Sequence, residues 1–275
     1  MTSTLTVDAA GVPAAPTSET EARPFALIRH SFILAGRSIL KIKRSPEQLI
    51  DVTLQPIIFT VLFVYLFGGA IAGSQHDYLQ FVLPALMVQT VLFASLSIGV
   101  NLNTDIQKGV FDRFRSLPIP RSAPLVGAVL GDIVRFVTSI VVLIGFGYAI
   151  GFRIGTDPFQ ALLACLLVLA FALSLSWVAV LIGMLVSNPG TVQGVGFLLM
   201  FPLTFGSSTF VPVNTLPGWL QAWVKVNPVT HLVEAARGLM VGGDVAWPVT
   251  QSLLWTIGIT AVFAPLAVRA YRRRT

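Results

Sequence analysis

Two acid–base pairs, Asp132 with Arg135 and Glu234 with Arg237, stand three residues apart in surroundings that are otherwise largely apolar. On a helix that spacing puts both members on one face, where each charge can offset the other. The surrounding residue types narrow what such pairs can do. Cys165 is the single cysteine, and His30, His76 and His231 are far apart, so no multi-cysteine or histidine metal cluster is expected. No GxxxxGK[ST] stretch occurs, so the chain has no loop of that kind to cradle ATP phosphates. Asp51, Asp132 and Glu234 are expected near membrane faces, which leaves no carboxylate at a span centre for a proton relay. No catalytic residues and no metal ligands are assigned, and the chain is expected to be non-catalytic. Glu234 and Arg237 are expected to form a structural ion pair.

The elements that position these groups follow from composition. Of 275 residues, 55% are hydrophobic and 11% charged, against roughly 25% charged in soluble domains. A helix crosses about 30 Å of hydrocarbon with roughly 20 apolar residues. Stretches free of Asp, Glu, Lys and Arg cover 52–76, 78–104, 136–152, 158–224 and 245–268. The fourth is long enough for two spans and is expected to break at Ser187-Asn188-Pro189-Gly190, where Pro and Gly together end a helix. The third becomes a full span if Asp132 and Arg135 pair or snorkel at its mouth. Six spans result, near 50–71, 79–101, 130–151, 160–186, 191–211 and 247–268. The fold class expected is an all-α integral membrane protein with six transmembrane helices, an N-terminal amphipathic interfacial helix, and re-entrant external helices between the fifth and sixth spans.

Residues 1–22 carry neither a basic stretch nor an apolar one and read as a disordered cytoplasmic tail. Over 23–48 the apolar residues Phe25, Ile28, Phe32, Ala35, Ile39 and Ile42 step by three and four, with His30, Arg37, Lys41 and Arg44 opposite. That pattern predicts a helix lying along the membrane surface, the alternative being a helix packed only on protein. Residues 49–272 form the six-span domain. Within it, 105–124 places Phe111, Phe114 and Leu117 on one stripe among Asp112, Arg113 and Arg115, so a cytoplasmic helix would present an apolar face to a partner or to the bilayer edge. The connection 212–246 is too apolar for a solvated loop. Trp219, Trp223 and Trp247 suit a membrane interface, and a short helix is expected from Pro228 to Gly242-Gly243.

Fifteen of the eighteen Lys and Arg fall in the N-terminal segment, the second-to-third connection and the C-terminal tail. Basic loops stay inside, so both termini are expected in the cytoplasm of a multi-pass protein. The charges are scattered between apolar runs, which argues against nucleic acid as a partner.

With these spans, the basic amphipathic helix and Asn227-Pro228 followed by Glu234, Arg237 and Gly238, the sequence resembles the type-2 ABC exporter permeases, and more narrowly the daunorubicin-resistance drug-export group. The resemblance runs from about residue 24 to 272. It implies that Phe111, Asp112, Arg113, Phe114 and Arg115 contact a separate ATPase subunit. It also implies that Asn227, Pro228, Glu234, Arg237 and Gly238 belong to external helices that gate the pathway. Two ATPase subunits would carry ATP and magnesium, two permease chains would pair as a homodimer or with a close paralogue in a bacterial cell membrane, and an amphipathic drug-like or lipid-like substrate would be exported among membrane lipids. A lipid-linked glycan would suit the same apolar pathway. The rivals from other classes are a proton-coupled secondary transporter and a non-transporting membrane scaffold.

Overall fold

The structure, a computed structural model, describes residues 46–110 and 123–274. The tail at 1–22, nearly all of the amphipathic segment 23–48, and Phe111, Asp112, Arg113, Phe114 and Arg115 lie outside the described residues. Within them the chain is helical and forms no strand. In order, α1 is Pro46–Ala72, α2 Gln75–Gln107, α3 Ala123–Gly131, α4 Ile133–Ala149, α5 Pro158–Leu185, α6 Pro189–Phe205, α7 Gly218–Val226, α8 Pro228–Val241 and α9 Ala246–Arg274.

Among the described residues, five segments are long and apolar enough to cross a membrane: Thr53–Ala72, Gln75–Gln107, Leu125–Ala149, Pro158–Leu185 and Ala246–Tyr271. The expected fifth span corresponds to α6, an apolar helix of 17 residues, so it falls short of the length that marks the others. The third expectation also shifts. That span starts at Leu125 rather than near 130, which moves the Asp132–Arg135 pair from the mouth into the first half of the span. The pair itself forms: Arg135 Nη1 lies 3.6 Å from Asp132 Oδ2, with both side chains buried. It sits where the helix is interrupted between α3 and α4. Asp132 thus lies inside the candidate segment rather than at its start.

Local sequence explains the joints. The α1–α2 hairpin turns at Gly73, whose φ of 73° favours glycine. Ser74 then caps α2 by accepting from the Asp77 backbone N–H at 3.0 Å, while its hydroxyl donates to the Asp77 carboxylate at 2.6 Å. The α5–α6 break falls at the expected place, with Asn188 accepting from Gly190 N–H at 2.8 Å and Pro189 opening the helix.

α2 is the central helix. It packs against α1, α4, α5, α6 and α8, while α5 carries α9 on its other side. About 72% of the most apolar window of α2 is buried, against 6% for α9, so the periphery of the bundle is the apolar surface left for lipid or for further chains. α2 and α5 cross at glycine. A Cβ on Gly183 would lie 2.6 Å from the Gly99 carbonyl, and one on Gly99 would collide with the Ala179 carbonyl. Just beyond the crossing, Asn103 Nδ2 donates to the carbonyls of Gly183 (2.9 Å) and Val186 (2.6 Å), and Gln107 Nε2 donates to Ser187 at 2.8 Å. Hydroxyls on α9 are satisfied internally: Ser252, Thr256 and Thr260 each donate to the carbonyl four residues back, as an apolar solvent requires.

Candidate functional site

The helices that begin and end at opposite sides of the bundle define two ends. One, called proximal here, holds the start of α1 and the end of α9; the other, distal, holds the α1–α2 turn and the connection from α6 to α9. Two features stand out, one along a face and one at the distal end.

On the face between α1 and α6 is a groove of about 430 Å³, floored by α2 and reached by Arg135 and Ser139 of α4. Phe197, Phe201 and Phe205 recur every four residues along α6 and so form one stripe. Their rings follow one another at centroid distances of 5.8 Å and 4.4 Å. The series continues to Phe210 at 5.0 Å and then to Phe63 of α1 at 4.4 Å, while Phe93 of α2 meets Phe197 at 5.5 Å. The result is a continuous aromatic track. Gln89 and Arg135 line the same groove; among the described residues Gln89 Oε1 and Arg135 Nε are buried without partners. The four-residue spacing of Phe197, Phe201 and Phe205 is the sequence signal for this wall, but it stands among many other apolar residues.

At the distal end the connection 212–246 holds two helices, α7 and α8, as the sequence predicted in outline. Asn227 ties them to the bundle. Its Oδ1 accepts from Val229 N–H at 2.9 Å, capping α8, while its Nδ2 donates to the carbonyls of Leu203 (2.7 Å) and Gly206 (2.8 Å) at the end of α6. Pro228 follows as the first helical residue, where its missing N–H costs nothing. Gly242 and Gly243, at φ of 111° and 131°, end the helix. Gly238 lets the chain fold back: a Cβ there would lie 2.8 Å from Val245 Cγ1. On the opposite side of α8's end, Thr156 Oγ1 donates to Leu239 O at 2.6 Å and Gly155 N–H to Met240 O at 2.9 Å.

Arg237 does not pair directly with Glu234. Its Nε donates to the Phe81 carbonyl at 3.0 Å and its Nη2 to the Ser208 carbonyl at 2.9 Å, with the guanidinium stacked on the Phe81 ring. The reason is geometric. A planar cation with five donors can satisfy two fixed carbonyls and lie on a ring at once, and those carbonyls belong to α2 and the loop after α6. Burial lowers the Arg237 guanidinium to a pKa of about 10, against the opposing influence of Glu234 and Tyr78. Burial likewise raises the Glu234 carboxyl, against Arg237, His231 and Ser208. Around them, Thr230 Oγ1 and His231 Nδ1 are buried without partners among the described residues. Tyr78 completes the distal packing by donating its hydroxyl to Phe210 O at 3.1 Å. Of the site residues expected from sequence, Asn227, Pro228, Glu234, Arg237 and Gly238 thus come together on α8 and its cap. Phe81 and Ser208, the actual partners of Arg237, were not foreseen.

A bundle of apolar helices with a grooved face and a helical distal connection matches the ABC-2 type transporter family over residues 29–241. The chain belongs to that family. It is 43% identical over 238 residues to the daunorubicin resistance ABC transporter permease protein DrrB1 of Streptomyces coeruleorubidus, covering 86% of this chain and 84% of that one. It is 32% identical to the doxorubicin resistance ABC transporter permease protein DrrB of Mycobacterium tuberculosis, over 80% of this chain and 81% of the relative. The probable doxorubicin resistance permease protein DrrC of the same organism is 26% identical over 94% of this chain and 93% of its own. As a member of this family with several apolar helices, the chain is a multi-pass membrane protein.

Proposed function

We propose that this chain is the membrane permease of an ATP-driven exporter that moves hydrophobic or amphipathic molecules out of the cytoplasm or the inner leaflet. The observation that carries the reading is the likeness over most of the chain to drug-resistance permeases, joined to a groove lined by aromatic, aliphatic and uncharged polar side chains with Arg135 at its edge. Energy comes from a separate ATPase subunit, in two copies, bound at the cytoplasmic segment 105–124 with Phe111, Asp112, Arg113, Phe114 and Arg115 as its contact residues. The chain crosses the membrane six times with α6 as a short fifth span, keeps both termini in the cytoplasm, pairs with a second permease copy, and carries its amphipathic segment on the cytoplasmic surface. The distal helices α7 and α8, with Asn227, Pro228, Glu234, Arg237 and Gly238, close the outer end of the pathway. It works in a bacterial cell membrane, a reading supported by its likeness to bacterial permeases.

The experiment is ATP-dependent accumulation of a lipophilic fluorescent dye in inside-out vesicles containing the permease and its ATPase. Accumulation that needs ATP, ignores a protonophore and vanishes when the ATPase loses its catalytic glutamate supports the proposal. A second reading has one observation behind it: Asp132, a buried carboxylate within a candidate span, is where a proton-coupled transporter would place its acid. Accumulation driven by a pH gradient alone, and lost in Asp132→Asn, would establish that reading and overturn the first.

A further inference from the structure

The sequence after Asp244 holds no acidic residue, yet α9 ends in arginines. Ala267 and Tyr271 are buried against the bundle and fix how the helix is turned there. At about 100° per residue, the positions two before and two after Tyr271 point away from the packed face, and Arg269 and Arg273 are both exposed. They stand four residues apart on one side of the helix, where like charges repel. Among the described residues neither has a carboxylate partner. The C-terminal end of a helix attracts cations, which accounts for arginine in the last turn. Arg269 lies before that turn, since α9 runs on to Arg274.

The same side of α9 is apolar ahead of the arginines. Trp255, Val262, Leu266, Arg269 and Arg273 follow one another at steps of seven, four, three and four, and all five are exposed. Trp247, exposed at the distal end of α9, suits a membrane interface. From Trp247 to Arg269 is 22 residues, a rise of about 33 Å against about 30 Å of hydrocarbon. Arg269 therefore reaches the proximal edge of the apolar layer, and Arg273 lies about 6 Å further out, at the depth of lipid headgroups. One molecule suits both halves: an acyl chain for the apolar stripe and an anionic headgroup for the two guanidiniums. A second copy meeting this face across a two-fold axis would set arginine against arginine. A soluble acidic partner would meet the arginines but not the stripe, which lies within the candidate span Ala246–Tyr271.

We propose that the proximal end of α9 is a binding site for an anionic phospholipid of the bilayer, its phosphate bridging Arg269 and Arg273 and an acyl chain lying along Val262 and Leu266. The proposed function supplies only the leaflet, the cytoplasmic one, through its placing of both termini. Binding is measured in nanodiscs, which have no inside and need no ATP, so a failed binding test leaves the exporter reading standing.

The test uses the purified full-length permease in phosphatidylcholine nanodiscs with a trace of phosphatidylglycerol bearing a diazirine on one acyl chain. Crosslinks mapped by mass spectrometry are expected on the peptide that contains Val262 and Leu266. Unlabelled phosphatidylglycerol should compete at least about tenfold better than added phosphatidylcholine, the scale of two arginines beside an anionic headgroup. The preference should vanish in Arg269→Gln/Arg273→Gln, whose exposed positions leave folding intact. Arg153→Gln/Lys225→Gln removes the same charge at the distal end and should leave the preference unchanged, which separates a local site from net charge. Equal competition by the two lipids, a preference that survives in the Arg269/Arg273 pair, its loss in the distal pair, or labelling confined to other surfaces would overturn the proposal. Labelling that appears only in Asp8→Asn/Glu19→Gln/Glu21→Gln would show that the N-terminal tail holds the arginines, and labelling abolished by added ATPase would assign them to that subunit; each overturns the proposal.

Discussion

The guanidinium carbon of Arg237 lies 3.7 Å from the centroid of the Phe81 ring, while its Nε donates to the carbonyl of the same residue. One side chain of α8 therefore grips α2 by both ring and backbone, and through Ser208 holds the loop after α6 as well. Arg237→Lys keeps the charge but loses the fork and much of the stacking. We expect it to lower stability by about 2–3 kcal/mol, because two carbonyls are left without their donors. Thermal unfolding of the purified permease checks this, with a midpoint equal to the parent's as the contrary result.

Glu234 tests the same region from the acidic side. Its carboxyl is raised by burial, beyond what Arg237, His231 and Ser208 restore. A carboxyl whose folded pKa exceeds its unfolded value contributes most at low pH, and that contribution is lost as pH rises from the unfolded value of 4.5 through the raised one. Glu234→Gln is thus expected to unfold at a higher temperature than the parent at neutral pH, with the difference closing below pH 4.5. A difference that widens on acidification would contradict the assignment.

Asn227 separates capping from bridging. Asn227→Asp retains the acceptor for Val229 N–H but replaces the two donated bonds to Leu203 and Gly206 with carboxylate–carbonyl repulsion. Asn227→Ala loses all three and is expected to cost about 2–4 kcal/mol. The aspartate is expected to be at least as damaging as the alanine, measured by denaturation midpoint and by the yield of monodisperse protein. An aspartate variant as stable as the parent would show that the cap alone matters.

Glycine substitutions distinguish close approach from mere helix propensity. Gly183→Ala would press a methyl onto the backbone of Gly99, whereas Gly258 on α9 has open space around its Cα. We expect Gly183→Ala to abolish or severely reduce folded yield, and Gly258→Ala to be neutral or stabilising by up to about 1 kcal/mol. Equal behaviour of the two would mean that α2 and α5 can part without loss.

Much of this architecture was legible in composition and punctuation. The Ser187 to Gly190 break, the start of α8 at Pro228 and its end at Gly242 follow from residues with a fixed local chemistry. The Asp132–Arg135 contact was also legible, since a spacing of three is a property of one helix. Its depth was not, because that depends on how far α3 and α4 together extend the span. The choice of Arg237 for Phe81 and Ser208 over Glu234 was equally hidden. Phe81 is 156 positions away, and no local pattern indicates which distant carbonyl a long cation will find. The aromatic track needs α1, α2 and α6 to meet before its members become neighbours.

The crossing of α2 with α5 has a mechanical meaning. Glycines in backbone contact, with Asn103 and Gln107 bound across the joint, leave little room for these helices to slide or tilt independently. The pair acts as a stiff spar running the depth of the subunit. On the proposed exporter reading, a stroke delivered near the C-terminal end of α2 would be passed to α5 with little loss, and the deformation that opens one end and then the other would fall on α1 and α6, which flank the groove.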